Sequence, residues 1–152
     1  MSIQIPVFPK GSLRHLPVHL EQPKMHTANC TDCKFHQGAK TVCIRPEGKP
    51  GGLLIISDYP GQVEDQYGRP MVGPAGQWVR GIMSKHWQGP WAITNALGCI
   101  PDGDVKDDHV SACRKYVVKT LDDVQPELIM LMGSWAGQSI FGEKYKPLSS
   151  LG

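Results

Sequence analysis

Two sets of residues in this 152-residue chain are of types that do chemistry. The first is a C-x-x-C pair, Cys30 and Cys33, in the polar run TANCTDCKFHQ, with further cysteines at 43, 99 and 113. Thiolates are soft ligands, suited to iron–sulfur clusters or to zinc. An odd count of five, without an apolar leader in MSIQIPVFPKGSLRH, argues against a disulfide framework. Packed thiols are the plainer alternative. The second set lies in SDYPGQVEDQYGRPMVGPAGQW, residues 57–78. Asp58 directly follows an apolar run, and Glu64 and Asp65 stand together among glycines and prolines. A carboxylate there can face a developing positive charge or simply form a turn. Asn95, which ends WAITN, offers a carboxamide that both donates and accepts; it could equally cap the loop that follows.

These residues need elements to hold them. LLII (53–56) is a short apolar run with β-branched members, a buried strand. GPAGQWVRGIMSKHW reads as a helix, with Trp78, Val79, Ile82 and Met83 on one face. WAITN is a second strand. The following helix, HVSACRKYVVKTLDDV, buries Val110, Cys113, Val117, Leu121 and Val124 and is stopped by Pro126. LIMLM is a third strand and GSWAGQSIFG a short helix. Strand, loop and helix thus recur three times, which predicts an α/β fold, a three-layer αβα sandwich on a short, mainly parallel sheet. In such sheets ligands bind beyond the carboxyl ends of the strands, where Asp58 and Asn95 fall. Residues 1–29 read as an extended or disordered arm, and residues 30–152 as one domain.

Composition bounds the rest. Hydrophobic content of 40% and charged content of 20% suit a soluble globular chain. Nothing approaches the roughly 20 apolar residues of a membrane span, and a cytoplasmic location is expected. A net charge of +2 permits nucleic acid as a partner without requiring it. Lys34, Lys40, Arg45 and Lys49 form a basic stretch opposed only by Glu47, a candidate phosphate-binding surface.

Taken together, SDYPG-x-x-ED-x-x-G-x-PMVGPAG resembles the first motif of the family 4 uracil-DNA glycosylases, whose pattern runs G-E-x-P-G-x-x-E-D-x-x-G-x-P-F-V-G-x-A-G. WAITNALGCIP and PELIMLMGSWAGQSIFG resemble the two later strand segments of that family, in the same order. The resemblance covers about residues 30–142. It implies a [4Fe–4S] cluster on Cys30, Cys33, Cys99 and Cys113, with zinc as runner-up and Cys43 a packed thiol outside the set. It also implies that Asp58 and Glu64 serve the water and the sugar cation. Backbone amides around Gly61 and Gln62 would face a uracil oxygen, Asn95 would read the base edge, and Met71 would cover the ring.

Three departures accompany the match. Asp58 stands where the family has Glu, and Met71 where it has a stacking Phe. The family's last motif, a His-Pro segment after a fourth strand, does not occur in the 152 residues. The resemblance therefore implies a sheet lacking its last strand and helix. LIMLM would then be an open apolar edge that a continuation, a partner subunit or the N-terminal arm covers. The function expected is hydrolysis of the N-glycosidic bond of uracil in DNA during base excision repair; the alternative is a catalytically inactive, glycosylase-like DNA-binding or replication/repair module. A nucleotide-phosphate binder is disfavoured, since neither G-x-x-x-x-G-K-[ST] nor G-x-G-x-x-G occurs.

Overall fold

The computed structural model describes residues 29–142 and 145, so the expected arm lies almost wholly outside the described residues. Four strands form one sheet: β1 (Glu47–Gly48), β2 (Leu53–Ser57), β3 (Trp91–Asn95) and β4 (Leu128–Met132), in the order β1-β3-β2-β4. β2 runs parallel to both β3 and β4, and only the two-residue β1 is antiparallel, against β3. The helices are α1 (Gln62–Tyr67), α2 (Pro74–His86), α3 (Asp107–Val124) and α4 (Ser134–Phe141).

β2 reads LLIIS, with no polar alternation, because both its faces are covered. Leu53 and Ile55 join Ile93, Met71, Val79 and Met83 under α2. Leu54 and Ile56 join Ala92, Val117, Val124 and Ala136 under α3 and α4. The result is the expected three-layer αβα arrangement on a mainly parallel sheet.

Three details depart from the expected elements. The segment between β2 and α2 is not all loop; it holds α1, closed by Gly68 in the left-handed region (φ 66°). Glu47 and Gly48, to which the sequence pattern assigns no element, add β1 to the sheet. On α2, Trp78 is 38% exposed, and the buried stripe is Gly76, Val79, Arg80 and Met83. The reason lies at Gly76, where a Cβ would stand 2.2 Å from the Met71 carbonyl. The helix rotates this bare position, and not Trp78, toward the loop.

β4 is the edge strand. Leu131 and Met132 pack partly into the two cores, but Leu128, Ile129 and Met130 are 55%, 36% and 43% exposed. The apolar edge expected at LIMLM is thus present among the described residues.

Candidate functional site

β2, β3 and β4 end in one row, with Ser57 opposite both Asn95 and Met132. The chain leaving β3 is laced to the end of β2. The Ala96 amide donates to the Ser57 carbonyl at 2.7 Å and the Leu97 amide to that of Asp58 at 3.0 Å. Asp58 and Asn95 therefore both lie at the carboxyl ends of the two central strands, as the sequence predicted.

Asn95 is 6% exposed. Its Oδ1 accepts a hydrogen bond from the Ser57 hydroxyl, and its Nδ2 is buried without a partner among the described residues. An unmet buried donor costs about 1–3 kcal/mol, so such a group asks for a purpose.

Asp58 turns toward α4. Its Oδ1 accepts the Ala136 amide at 2.8 Å, and Trp135 adds a second backbone bond. Gly133, at φ 118°, makes this approach possible, since a Cβ there would lie 2.2 Å from Oδ1. Burial pushes the Asp58 carboxyl above the ordinary carboxylate value, and the two amides only partly oppose it. A raised acid pKa means the folded chain holds this proton more tightly than the unfolded chain. Stability on this account falls as pH rises from 3.8 through the raised value, then stays level. Asp58→Asn, which keeps the acceptor and removes the charge, should raise the melting temperature at pH 7 and leave it nearly unchanged at pH 3. Parallel thermal melts at the two pH values check this.

Glu64 works as a clamp. Oε1 accepts the Gly73 amide at 2.7 Å and Oε2 the Gly61 amide at 3.1 Å, joining the starts of α1 and α2. The Gly61 amide, expected to face a base oxygen, is thus given to Glu64, while Gln62 lies exposed in the first turn of α1. Asp65 accepts the Lys40 and Thr41 amides at 3.1 and 2.9 Å, tying the segment that follows the C-x-x-C to the same loop. Met71, expected as a ring cover, is only 7% exposed and belongs to the core under α2. Its backbone sits in the left-handed region at φ 48°.

Two residues that sequence reasoning did not single out brace this turn, Arg80 directly and Arg69 through Glu47. Arg80, 4% exposed, donates from Nε to the Met71 carbonyl at 2.8 Å and from Nη2 to the Pro70 carbonyl at 2.6 Å. Nη2 also meets Glu47 at 2.9 Å, and Arg69 grips the same carboxylate at 2.6 and 3.1 Å. A signal for Arg80 was available: a cation on the buried stripe of a helix requires a buried acid. Ser57 is the third residue missed; it stands where the family pattern has Gly.

The five cysteines gather between the N-terminal segment, the loop after β3 and α3. No disulfide joins them among the described residues. The Cys43 amide donates to Cys99 Sγ at 3.3 Å, and the Gly98 backbone bonds Cys113. Burial first, then the charges of the neighbouring thiols, push Cys43 and Cys113 up to about 12 and raise Cys99. Cys43, expected as a packed thiol, is buried among the other four. No three Cys, His or acidic side chains among the described residues converge as a single metal ion would need. The thiols are soft donors, of the type that iron–sulfur clusters and zinc both take. Phe35, fully buried, packs on the His109 ring at 4.3 Å and closes this region.

Of the basic stretch, Lys34, Lys40 and Lys49 are exposed and Arg45 half-buried. Lys40 neighbours α1, whereas Lys49 lines a cavity of about 340 Å³ beside Pro90 and Trp91, at the amino end of β3. That cavity is at the wrong end of the sheet for the Asp58–Asn95 pair. No helix of the described residues is long and apolar enough to cross a membrane.

A mainly parallel sheet between two layers of helices, its central strands ending in a half-buried acid and a buried carboxamide, defines an α/β protein of the three-layer αβα class. The chain belongs to the uracil DNA glycosylase superfamily, whose family model matches residues 48–151. It is similar to the type-4 uracil-DNA glycosylase of Sulfurisphaera tokodaii, 30% identical over 139 residues, which cover 87% of this chain and 62% of that protein. The type-4 enzyme of Pyrobaculum aerophilum is 31% identical over 121 residues, 75% of this chain and 61% of its own. That of Saccharolobus solfataricus is 24% identical over 128 residues, 81% and 59% respectively. The chain thus spans about three fifths of the length of the curated relatives it matches.

Proposed function

We propose that this chain carries the base pocket of a uracil-DNA glycosylase, acting in base excision repair. The observation that carries the reading is the buried Nδ2 of Asn95, without a partner among the described residues, at the same strand ends that carry Asp58. Asn95 donates to a uracil carbonyl oxygen and accepts the neighbouring ring N–H on the second lone pair of Oδ1. Asp58, fixed by the amides of α4, serves the water and the sugar cation. Glu64 holds the loop, and the Gln62 amide is left for the second base oxygen. The base reaches this pocket only once out of the stack. Lys34, Lys40 and Arg45 supply phosphate contacts on the DNA, whereas Lys49, at the opposite end of the sheet, takes no part.

Cys30, Cys33, Cys99 and Cys113 hold a [4Fe–4S] cluster in this reading, with zinc as the second choice. Its part is structural, fastening the N-terminal segment to the loop after β3 and to α3. Protein purified without oxygen should be brown, with about four irons per chain. Cys30→Ser or Cys113→Ser should bleach it and lower its melting temperature; Cys43→Ser should leave the colour. Stoichiometric zinc without iron would exclude the cluster.

The test of activity is uracil release from a labelled oligonucleotide, seen as an alkali-sensitive abasic site. Cluster-loaded protein that binds uracil-containing and ordinary DNA alike and releases nothing would favour the second reading, a non-catalytic DNA-binding module. One observation supports that second reading: Met71 is packed into the core and offers no flat aromatic face.

A further inference from the structure

We propose that Ser57 is a positioning residue for base selection: its hydroxyl holds the Asn95 carboxamide with Nδ2 left to donate, so that the pocket takes a base presenting a carbonyl oxygen beside a ring N–H and refuses one presenting an amino group. This rests on the reading of the site as a base pocket. Ser57 and Asn95 are paired residues of β2 and β3, so their side chains leave the sheet on the same side. The hydroxyl donates to Oδ1, and Nδ2 is buried without a partner among the described residues.

The orientation decides what fits. A carboxamide is nearly symmetric in shape but opposite in hydrogen bonding at its two ends. With Oδ1 held by Ser57, the unmet group is a donor, and the complementary base is a 4-oxopyrimidine. Turned over, the hydroxyl would accept from Nδ2, Oδ1 would be unmet, and a 4-aminopyrimidine such as cytosine would fit instead. A buried polar site rejects the wrong partner strongly because its own groups are then left unpaired. The family pattern carries Gly at this position, which cannot hold the amide in this way, so the lock belongs to this chain's own sequence.

The serine is suited to a clean test, because its backbone is pinned separately by the Ala96 amide at 2.7 Å. Binding of free uracil and of free cytosine to the full chain is measured by ligand-observed NMR for wild type, Ser57→Ala, Ser57→Gly and Ser57→Thr. Uracil and cytosine excision from otherwise identical oligonucleotides is measured in parallel. Wild type should prefer uracil. Alanine and glycine should narrow the uracil-to-cytosine ratio by about tenfold, the value of one buried hydrogen bond, with melting temperatures little changed. Threonine, which keeps the hydroxyl, should restore the ratio. A selective wild type with an equally selective Ser57→Ala would overturn the role of Ser57 alone. A wild type that prefers cytosine would show the amide held the other way. A wild type that takes neither base would remove the base pocket itself, and this inference with it.

Discussion

Asn95→Ala should lower the single-turnover rate of uracil release by about two to three orders of magnitude, the usual cost of removing one aligned donor from a water-excluded site. The same change should not destabilise the fold. Ordinarily, truncating a buried polar side chain exposes its former partners. Here Nδ2 has none to lose, and only the Ser57 hydroxyl, itself half-buried, must find another acceptor. A large kinetic loss with an unchanged or slightly raised denaturation midpoint is therefore expected. A drop in stability that matches the loss of activity would show Asn95 to be a framework residue.

The second large effect is on stability. Arg80→Met should cost about 3 kcal/mol, the lower end for breaking a buried ion pair because Arg69 still holds Glu47. For a chain of this size that is a fall of roughly 10 °C in melting temperature. The double change Arg80→Met with Glu47→Leu should recover part of the loss, since both members of the buried pair become apolar and the Arg69 guanidinium, 23% exposed, can turn to water when it loses Glu47. It should not recover uracil release. The Pro70 and Met71 carbonyls would still lack their donors, and Met71 would no longer be held at its positive φ. Arg80→Lys should fall between the two, because one ammonium cannot reproduce a planar fork that serves three acceptors. Denaturant titrations of the four proteins, set beside their release rates, separate the two consequences.

The strands and longer helices were legible because the sequence writes them plainly. LLII is buried on both faces, and 110, 113, 117, 121 and 124 step along one side of α3. The positions of Asp58 and Asn95 followed from the rule that sites form at strand ends. What escaped were relations between distant residues. The bond from Gly61 to Glu64 is a local cap three residues apart, but no local pattern says that Glu64 will also take the amide of Gly73, or that Glu47 will wait 33 residues upstream of Arg80. β1 escaped for a similar reason: two residues carry no periodicity, and only their pairing with Ala92 and Ile93 makes them a strand. Trp78 was placed on the wrong side of α2 because a hydrophobic count ignores the close approach that only Gly76 allows.

The uncovered side chains of β4 bear on how the protein behaves in the tube. Leu128 and Met130 lie on one face of an edge strand with its outer hydrogen-bonding row open among the described residues. Lyotropic salts such as ammonium sulfate strengthen apolar association, whereas ordinary salt screens contacts to phosphate. The two influences pull in opposite directions during handling. A preparation stripped of nucleic acid by high sulfate is the one most prone to stick to itself, and a chloride wash is the gentler route to the same end. A lysine at Leu128 would act as a gatekeeper, improving the colloidal behaviour of the chain at the end of β4 away from Asp58 and Asn95, since Leu128 pairs with Leu53 and Met132 with Ser57.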